Sequence, residues 1–161
     1  MAGKKATKLN RDDLIAVVKN APLVSIDLII KNSRNQVLLG LRNNQPAKGF
    51  WFVPGGRILK NERICEAFER IAKEELGIKL AYKNSNFLGV FEHLYDKNFA
   101  GQQGFGTHYV VLAYGIKIAE TQLKPLDEQH SQYRWFDEDS LQKAKNVHPY
   151  TRAYFTQKNV C

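Results

Sequence analysis

One segment, from Glu62 to Leu76, restricts the fold of this chain more than any other. Its apolar side chains recur at helical spacing, and Gly77 follows as a residue typical of a helix end. On a helical wheel Ile64, Phe68 and Ile71 gather on one side, which is the side expected to face a core. The segment therefore predicts an amphipathic helix packed against a hydrophobic core.

Glu75 interrupts that apolar stripe. Its direction falls between Ile64 and Phe68, so a carboxylate projects where apolar side chains gather. Burying an unpaired charge is costly, and a negative side chain in the last turn opposes the helix dipole. Either the last turn frays and exposes Glu75 to water, or a cation lies beside it. The nearby Glu74 and Arg70 suit a cation site, in which Arg70 would orient the carboxylates. The helix pattern alone leaves both interpretations, fraying and a cation, open.

The rest of the chain alternates between strand-like and helical patterns. Strand-like runs occur at 24–30, 37–41, 51–53, 78–82, 87–94, 107–118 and 133–136, and helical patterns occur at 11–20 and within 138–157. Few of these runs form βαβ repeats, so we predict a fold of the α/β (α+β) class in which helices sandwich a mixed β-sheet. We expect one domain over residues 11–161, preceded by a basic, flexible tail over residues 1–10.

Composition excludes several classes of protein. The chain has 161 residues, and no stretch approaches the ~18 consecutive apolar residues of a membrane-spanning helix. Two cysteines are too few for a disulfide scaffold, and the basic N-terminus lacks the apolar segment of a secretory signal, so we expect a cytoplasmic location. With 24 basic and 16 acidic residues, the formal charge of +8 favours anionic ligands, which include nucleotides and nucleic acid.

A glycine turn precedes the helix and completes a motif with it. Gly55 and Gly56 expose backbone carbonyls and let a ligand approach closely. The spacing resembles the Nudix box, the strand–loop–helix signature of hydrolases acting on nucleoside diphosphates linked to another moiety. The matching positions are Gly56, Glu62, Arg70, Glu74, Glu75, Gly77 and Ile78. The match favours a cation site over fraying at Glu75, and it departs from the pattern at one fixed position, where Ile71 replaces a Glu.

The resemblance narrows to one branch of that family, the GDP-mannose mannosyl hydrolases, which resemble this chain in lacking that Glu. It extends over about residues 11–157, with characteristic strings at 22–25, 49–57, 107–112 and 127–130. It implies a Nudix-type α/β/α sandwich, a homodimer, and hydrolysis of GDP-mannose, or also GDP-glucose, to GDP and free sugar by water attack at the sugar C1. Such glycosyl cleavage passes through an oxocarbenium-like state while negative charge builds on the departing phosphate.

The resemblance also implies a metal site at the end of the helix. Without a carboxylate at position 71, we expect one Mg²⁺ per site, with Mn²⁺ able to substitute, rather than a cluster of metal ions. The implied ligands are the Gly55 carbonyl, Glu75, Gln129 and Glu74. For Gln129, a surface position without a ligand role is the alternative.

The resemblance also implies roles for other residues in catalysis and substrate binding. The implied catalytic residues are His130, Arg70 and Arg57, and the implied substrate-binding residues are Asp27, Arg42, Arg57, Tyr109 and His93. His130 is the expected base, because imidazole titrates closest to neutral pH. Arg42 and Arg57 suit bidentate phosphate contacts, although Arg42 also fits a solvated surface. Asp27 either binds sugar hydroxyls or faces solvent from an exposed sheet face. For Tyr109 the alternative is a core aromatic, and for His93 it is a structural role.

Two other functions compete with this one. A Nudix pyrophosphatase would use the same helix to cleave a P–O bond and release a nucleoside monophosphate and a sugar 1-phosphate, although the missing Glu and the pair Gln129-His130 argue against it. A non-catalytic nucleotide- or RNA-binding module would use the basic charge, but it would not need Glu75 and Arg70. The sequence does not identify the residues that recognise guanine or that separate mannose from glucose.

Overall fold

The computed structural model of the protein describes residues 5–123 and 130–156. Over these residues the chain forms, in order, α1 (Arg11–Asn20), β1 (Leu23–Lys31), β2 (Val37–Arg42), β3 (Trp51–Phe52), β4 (Gly55–Arg57), α2 (Ile64–Leu76), β5 (Asn86–Tyr95), β6 (Thr107–Lys117), β7 (His130–Phe136), α3 (Glu138–Lys143) and α4 (Pro149–Ala153). Short 3₁₀ turns occur at Tyr82–Asn84 and Glu120–Gln122.

The strands form one mixed sheet, as predicted. Neighbouring strands follow the order β3-β2-β1-β6-β5, and in addition β4 pairs with β1 and β7 pairs with β2. β1 runs parallel to β6 over residues 23–31, whereas the other pairings are antiparallel. Because β1 also pairs with the short strand β4, Asp27 lies opposite Gly55 in the sheet.

Helices cover both faces of the sheet, which confirms the predicted sandwich. Alternate residues of β1 point to opposite faces. One buried cluster joins β1 to α2 and contains Ile26, Leu28, Ile30, Phe68 and Ile71. The cluster on the other face joins β1 and β3 to the C-terminal helices and contains Ile29, Trp51, Phe52 and Leu141, with Tyr150 packed against it. No helix among the described residues is long and apolar enough to cross a membrane.

The start of α2 differs from the prediction. The helix begins at Ile64 instead of Glu62, because Arg63 caps it and its N–H donates to the Glu66 carboxylate at 3.0 Å. Ile64 in this first turn is 41% exposed, so it does not join the buried stripe as predicted.

Residues 78–82 form no strand, contrary to the prediction. α2 ends at Gly77, which has a φ of 67°, and the following residues pack back onto the helix. The Tyr82 ring lies edge-on to Phe68 with 5.6 Å between centroids, and Leu80 is buried in the same cluster. Packing against α2 buries the apolar side chains of this run without a partner strand.

Described residues before α1 contact the domain. The Thr7 N–H donates to the Lys60 carbonyl at 3.2 Å, and the Lys8 ammonium lies 3.7 Å from the Glu74 carboxylate. The boundary between a flexible tail and the domain stays a prediction.

Candidate active site

A cavity of about 280 Å³ opens beside the centre of the sheet. Residues of α1, β1, β2, β4, β5 and β6 line it. The structure brings together there all five residues predicted to bind substrate, together with one predicted metal ligand: Asp27, Arg42, Arg57, Tyr109, His93 and Gly55. Their roles stay predictions, but these residues, distant in sequence, share one space.

Asp27 is buried in the wall of this cavity. It is 7% exposed, and its Oδ2 accepts a hydrogen bond of 2.6 Å from the Tyr154 hydroxyl. Burial raises the pKa of Asp27 to about 7, although the Tyr154 hydrogen bond and the charge of Arg42 act to lower it. The interpretation of Asp27 as a residue on an exposed sheet face is therefore wrong.

Two arginines give the cavity its positive charge. Arg42 ends β2, where its Nε donates to the Pro46 carbonyl at 3.0 Å and its guanidinium lies 5.8 Å from the centroid of the Phe52 ring. Arg57 ends β4, opposite Ser25 of β1. Guanidinium groups held at the wall of a cavity suit recognition of phosphate oxygens.

Two histidines near the cavity are held in the neutral form. His93 is 4% exposed, and burial, with the nearby His148, lowers its pKa to about 3. Burial, with the charges of Arg42 and Arg152, lowers the pKa of His148 to about 4. His148 also caps α4, because its Nδ1 accepts the Tyr150 N–H at 3.2 Å. Because these imidazoles are neutral, the arginines supply the positive charge of the cavity.

Arg70 ties α2 to the loop before it. Its Nε and Nη2 donate to the two carboxylate oxygens of Glu62 at 2.6 and 2.9 Å, and its Nη1 donates to Glu74 at 2.8 Å. Its Nη2 also reaches the Arg57 carbonyl at 2.8 Å. Arg70 is not among the described residues that line the cavity. Its contacts join β4 to the carboxylates of Glu62 and Glu74, and its predicted roles in catalysis and in orienting the metal-binding carboxylates stay predictions.

An Arg70→Lys variant should lose about 1–2 kcal/mol of unfolding free energy, because a lysine keeps the charge but cannot form the forked bonds to Glu62 and Arg57. Urea unfolding followed by circular dichroism measures this loss. Arg11→Lys, the same exchange at the exposed start of α1, is the control and should unfold within about 0.5 kcal/mol of the wild-type protein. Equal stability of both variants would contradict the prediction.

The last turn of α2 does not fray. The helix continues to Leu76, and the Gly77 N–H donates to the Lys73 carbonyl at 3.1 Å. Glu75 is only 4% exposed, and its carbonyl accepts the Tyr133 hydroxyl at 3.0 Å. The fraying interpretation is therefore wrong, and a carboxylate is buried at the end of this helix.

The oxygen donors at this end of α2 are those that a hard cation prefers. Glu75 and Glu74 supply carboxylate oxygens at this end, and the predicted set adds the Gly55 carbonyl, which belongs to β4. Glu74 is already paired with Arg70 and, at 3.7 Å, with Lys8. In the part of the chain that the structure describes, no group of three or more His, Cys, Asp or Glu side chains could hold a metal ion. These residues would supply few side-chain ligands to a cation. The rest of its coordination would therefore come from backbone, substrate or water oxygens.

Ile71 packs where the Nudix pattern places a Glu. It is 1% exposed, and its Cγ1 lies 3.1 Å from the position that a β-carbon on Gly56 would take. The apolar side chain thus fills the contact between α2 and β4. Ile71 therefore supplies no oxygen ligand at the position where the Nudix pattern has a carboxylate.

Two predicted site residues are not described in full. Gln129 lies outside the described residues. The backbone of His130 begins β7 and pairs with Arg42, which places this position next to the strand that carries a cavity arginine. Its side chain is not described, so its role as a base stays a prediction.

Sequence reasoning missed the aromatic residues behind the cavity. Tyr154 binds Asp27, Tyr150 stacks on His93, and Phe99 and Tyr95 line the cavity wall. Burial raises the pKa of Tyr95, so its hydroxyl stays protonated. No spacing in the sequence marks these residues, because buried aromatic side chains are equally typical of a core.

Comparison with known proteins places this site in a family. A family model described as the NUDIX domain matches residues 21–157, a range that contains every predicted site residue. A solved structure of a MutT NUDIX hydrolase from Burkholderia pseudomallei has a TM-score of 0.71 and 27% sequence identity, and the match covers 86% of this chain and 98% of that one.

The relatives that are similar in sequence include a glycan biosynthesis protein and a pyrophosphatase. The low-salt glycan biosynthesis protein Agl8 of Haloferax volcanii is 40% identical over 154 residues, which is 95% of this chain and 92% of the relative. An ADP-ribose pyrophosphatase of Methanocaldococcus jannaschii is 32% identical over 122 residues, which is 76% of this chain and 66% of the relative.

Proposed function

This chain belongs to the Nudix family of hydrolases, and on that premise we propose that it hydrolyses GDP-mannose, with GDP-glucose as a second substrate, to GDP and free sugar. One observation carries the proposal: arginines suited to a diphosphate and a buried carboxylate suited to sugar hydroxyls line the same 280 Å³ cavity. The name of the Haloferax relative, a glycan biosynthesis protein, supports a nucleotide sugar as the substrate class.

Water attacks C1 of the sugar in the proposed reaction. The oxygen of water bonds to C1, the bond from C1 to the β-phosphate oxygen breaks, and that oxygen leaves with GDP. His130 accepts the proton of the attacking water, and Arg42 and Arg57 stabilise the charge on the departing diphosphate. Asp27 accepts a hydrogen bond from a sugar hydroxyl. The apolar Ile71 supports this route, since the site offers one carboxylate fewer than the Nudix pattern.

We propose that the site binds one Mg²⁺, for which Mn²⁺ can substitute. Glu75, Glu74, the Gly55 carbonyl and Gln129 would hold it, and hard oxygen donors match the preference of this ion. When bound, the ion supplies positive charge that stabilises the leaving diphosphate.

Cleavage of a P–O bond is the second candidate. The similarity to the Methanocaldococcus ADP-ribose pyrophosphatase favours it, because that relative is 32% identical to this chain over 122 residues. This reaction would give a nucleoside monophosphate and a sugar 1-phosphate from the same cavity and the same helix.

Hydrolysis of GDP-mannose in ¹⁸O-labelled water with Mg²⁺ separates the two reactions. Labelled mannose with unlabelled GDP, read by mass spectrometry and phosphorus NMR, supports attack at carbon. Label in GMP or in mannose 1-phosphate means attack at phosphorus, and the second candidate then replaces the first. Absence of any turnover, with and without Mg²⁺, contradicts both reactions and leaves a nucleotide-binding module.

A His130→Gln variant should lower kcat about 10²-fold, because a glutamine cannot accept the proton of the attacking water. The loss should appear in kcat rather than in KM, measured by release of free mannose. His108→Gln, the same exchange in β6, is the control and should keep kcat within about twofold. A His130→Gln enzyme with the wild-type kcat would remove His130 from the reaction.

We also propose that the chain works in the cytoplasm as a homodimer. β5 ends the path of the sheet, and it exposes apolar side chains, Phe87, Leu88, Val90 and Leu94, that a second copy could cover. A Val90→Lys variant should therefore sediment as a monomer at concentrations where the wild-type protein is a dimer. A dimer that survives this change would exclude β5 from the interface, and a monomeric wild-type protein would contradict the homodimer itself.

A further inference from the structure

The hydroxyl of Tyr154 lies between two buried residues of the cavity wall. It donates to Asp27 Oδ2 at 2.6 Å, and it lies 3.1 Å from His93 Nε2. Asp27 and His93 line the cavity, whereas Tyr154 is not among the described residues that do so. Tyr154 therefore contacts the cavity through its two partners.

When Asp27 is ionised, the protons of this chain of hydrogen bonds have one consistent arrangement. A tyrosine hydroxyl has a single proton, which here goes to the Asp27 carboxylate. The hydroxyl oxygen can then only accept from His93, so Nε2 of the neutral imidazole must carry a proton. The opposite nitrogen of His93, Nδ1, is then an acceptor. Tyr154 thus sets both the rotamer of Asp27 and the tautomer of His93.

The residues around this chain hold each member in place. His93 stacks on Tyr150 with 4.3 Å between centroids and 7° between planes. The Tyr150 hydroxyl donates to the Leu94 carbonyl at 2.7 Å and accepts the Leu94 N–H at 2.9 Å, which joins α4 to β5. The Tyr154 ring packs edge-on against Phe91 at 4.7 Å. The hydroxyl is therefore fixed by packing as well as by its partners.

We propose that Tyr154 is a positioning residue of the sugar subsite, which holds Asp27 and His93 as one preset pair of hydroxyl-binding groups. The pair presents a carboxylate oxygen and an imidazole at fixed positions, and a hydroxyl-rich ligand is the chemistry that such a pair recognises. The inference rests on the proposed function, since it names the residue behind the sugar-binding end of that same site.

A Tyr154→Phe variant tests this role, because it removes one oxygen and keeps the ring. We expect kcat/KM for GDP-mannose to fall about tenfold, while the affinity for GDP, which lacks the mannosyl group, stays within twofold in calorimetry. Tyr82→Phe is the matched control: it also removes one tyrosine oxygen, which lies 3.1 Å from the Tyr114 hydroxyl, and Tyr82 is not among the described residues that line the cavity. Its kcat/KM should stay within about twofold of the wild-type value.

Nitrogen-15 NMR of the histidine side chains gives a readout that does not depend on turnover. The chain has four histidines, so single substitutions assign their signals. Well above pH 7, where Asp27 is ionised, His93 should show the Nε2–H tautomer in the wild-type protein and in Tyr82→Phe, and it should lose that preference in Tyr154→Phe.

Three results would overturn the proposal: wild-type kcat/KM in Tyr154→Phe, an equal loss of GDP affinity in that variant, or an unchanged His93 signal. If the wild-type protein hydrolyses no nucleotide sugar, the proposed function fails, and the His93 signals still decide whether Tyr154 holds the pair.

Discussion

A Glu75→Gln enzyme should turn over GDP-mannose about 10³-fold more slowly than the wild-type enzyme and yet fold normally. A metal ion at the leaving group contributes several kcal/mol to a transition state, and each 1.4 kcal/mol is a factor of ten in rate. Glutamine keeps the shape of the side chain but removes the charge that would attract the ion. The loss should therefore appear in kcat and should shrink as Mg²⁺ is raised, because mass action restores part of the occupancy.

The stability of this variant separates a metal ligand from a structural carboxylate. Glu75 is buried at 4% exposure, and glutamine keeps the size and shape of its side chain. The midpoint of thermal unfolding without metal should therefore stay within about 4 °C of the wild-type value. Glu69→Gln, the same exchange on the exposed side of α2, is the control and should keep both kcat and the midpoint. A Glu75→Gln protein that keeps kcat but unfolds at lower temperature would contradict the metal role.

The elements predicted best from the sequence are those fixed by local patterns. The end of α2 follows from Gly77, because a left-handed residue stops a helix wherever it occurs. The burial of Glu75 follows from its place in the apolar stripe, which is also local. The residues that meet in the cavity come from separate strands, and their meeting could be predicted only through the resemblance to a family.

The features that could not be predicted depend on contacts between distant segments. The run 78–82 has a strand-like composition, but α2 offers its side chains a packing surface and no strand lies beside it. Tyr154 follows a short helix 127 positions after Asp27, and nothing near either residue in the sequence indicates the hydrogen bond between them. Residue type shows what a side chain can bind, and the sheet order decides which partner it meets.

A Gly55→Ala variant should lose at least about 10² in kcat/KM together with about 2 kcal/mol of unfolding free energy, because this position has no room for a β-carbon. An added β-carbon would lie 2.7 Å from the Ile26 carbonyl oxygen and closer still to Oδ1 of Asp27. The backbone oxygen cannot move without disturbing β1, and the carboxylate cannot turn away without breaking its bond to Tyr154. Overpacking of this kind typically costs 1–3 kcal/mol, and a displacement near 1 Å at a site can cost 10² in rate.

Gly115→Ala is the matched control, since it adds the same methyl group to a glycine inside a strand. There the nearest atoms are side-chain carbons of Leu88 at 3.3 and 3.4 Å, which can give way. It should stay within about 1 kcal/mol of the wild-type stability and keep kcat/KM. Combining Gly55→Ala with Asp27→Ala should recover part of the lost stability, because the clash with the carboxylate disappears while that with the Ile26 carbonyl stays. If the double variant recovers no stability, the Asp27 carboxylate does not limit the space at position 55. The Ile26 carbonyl alone then excludes the added β-carbon.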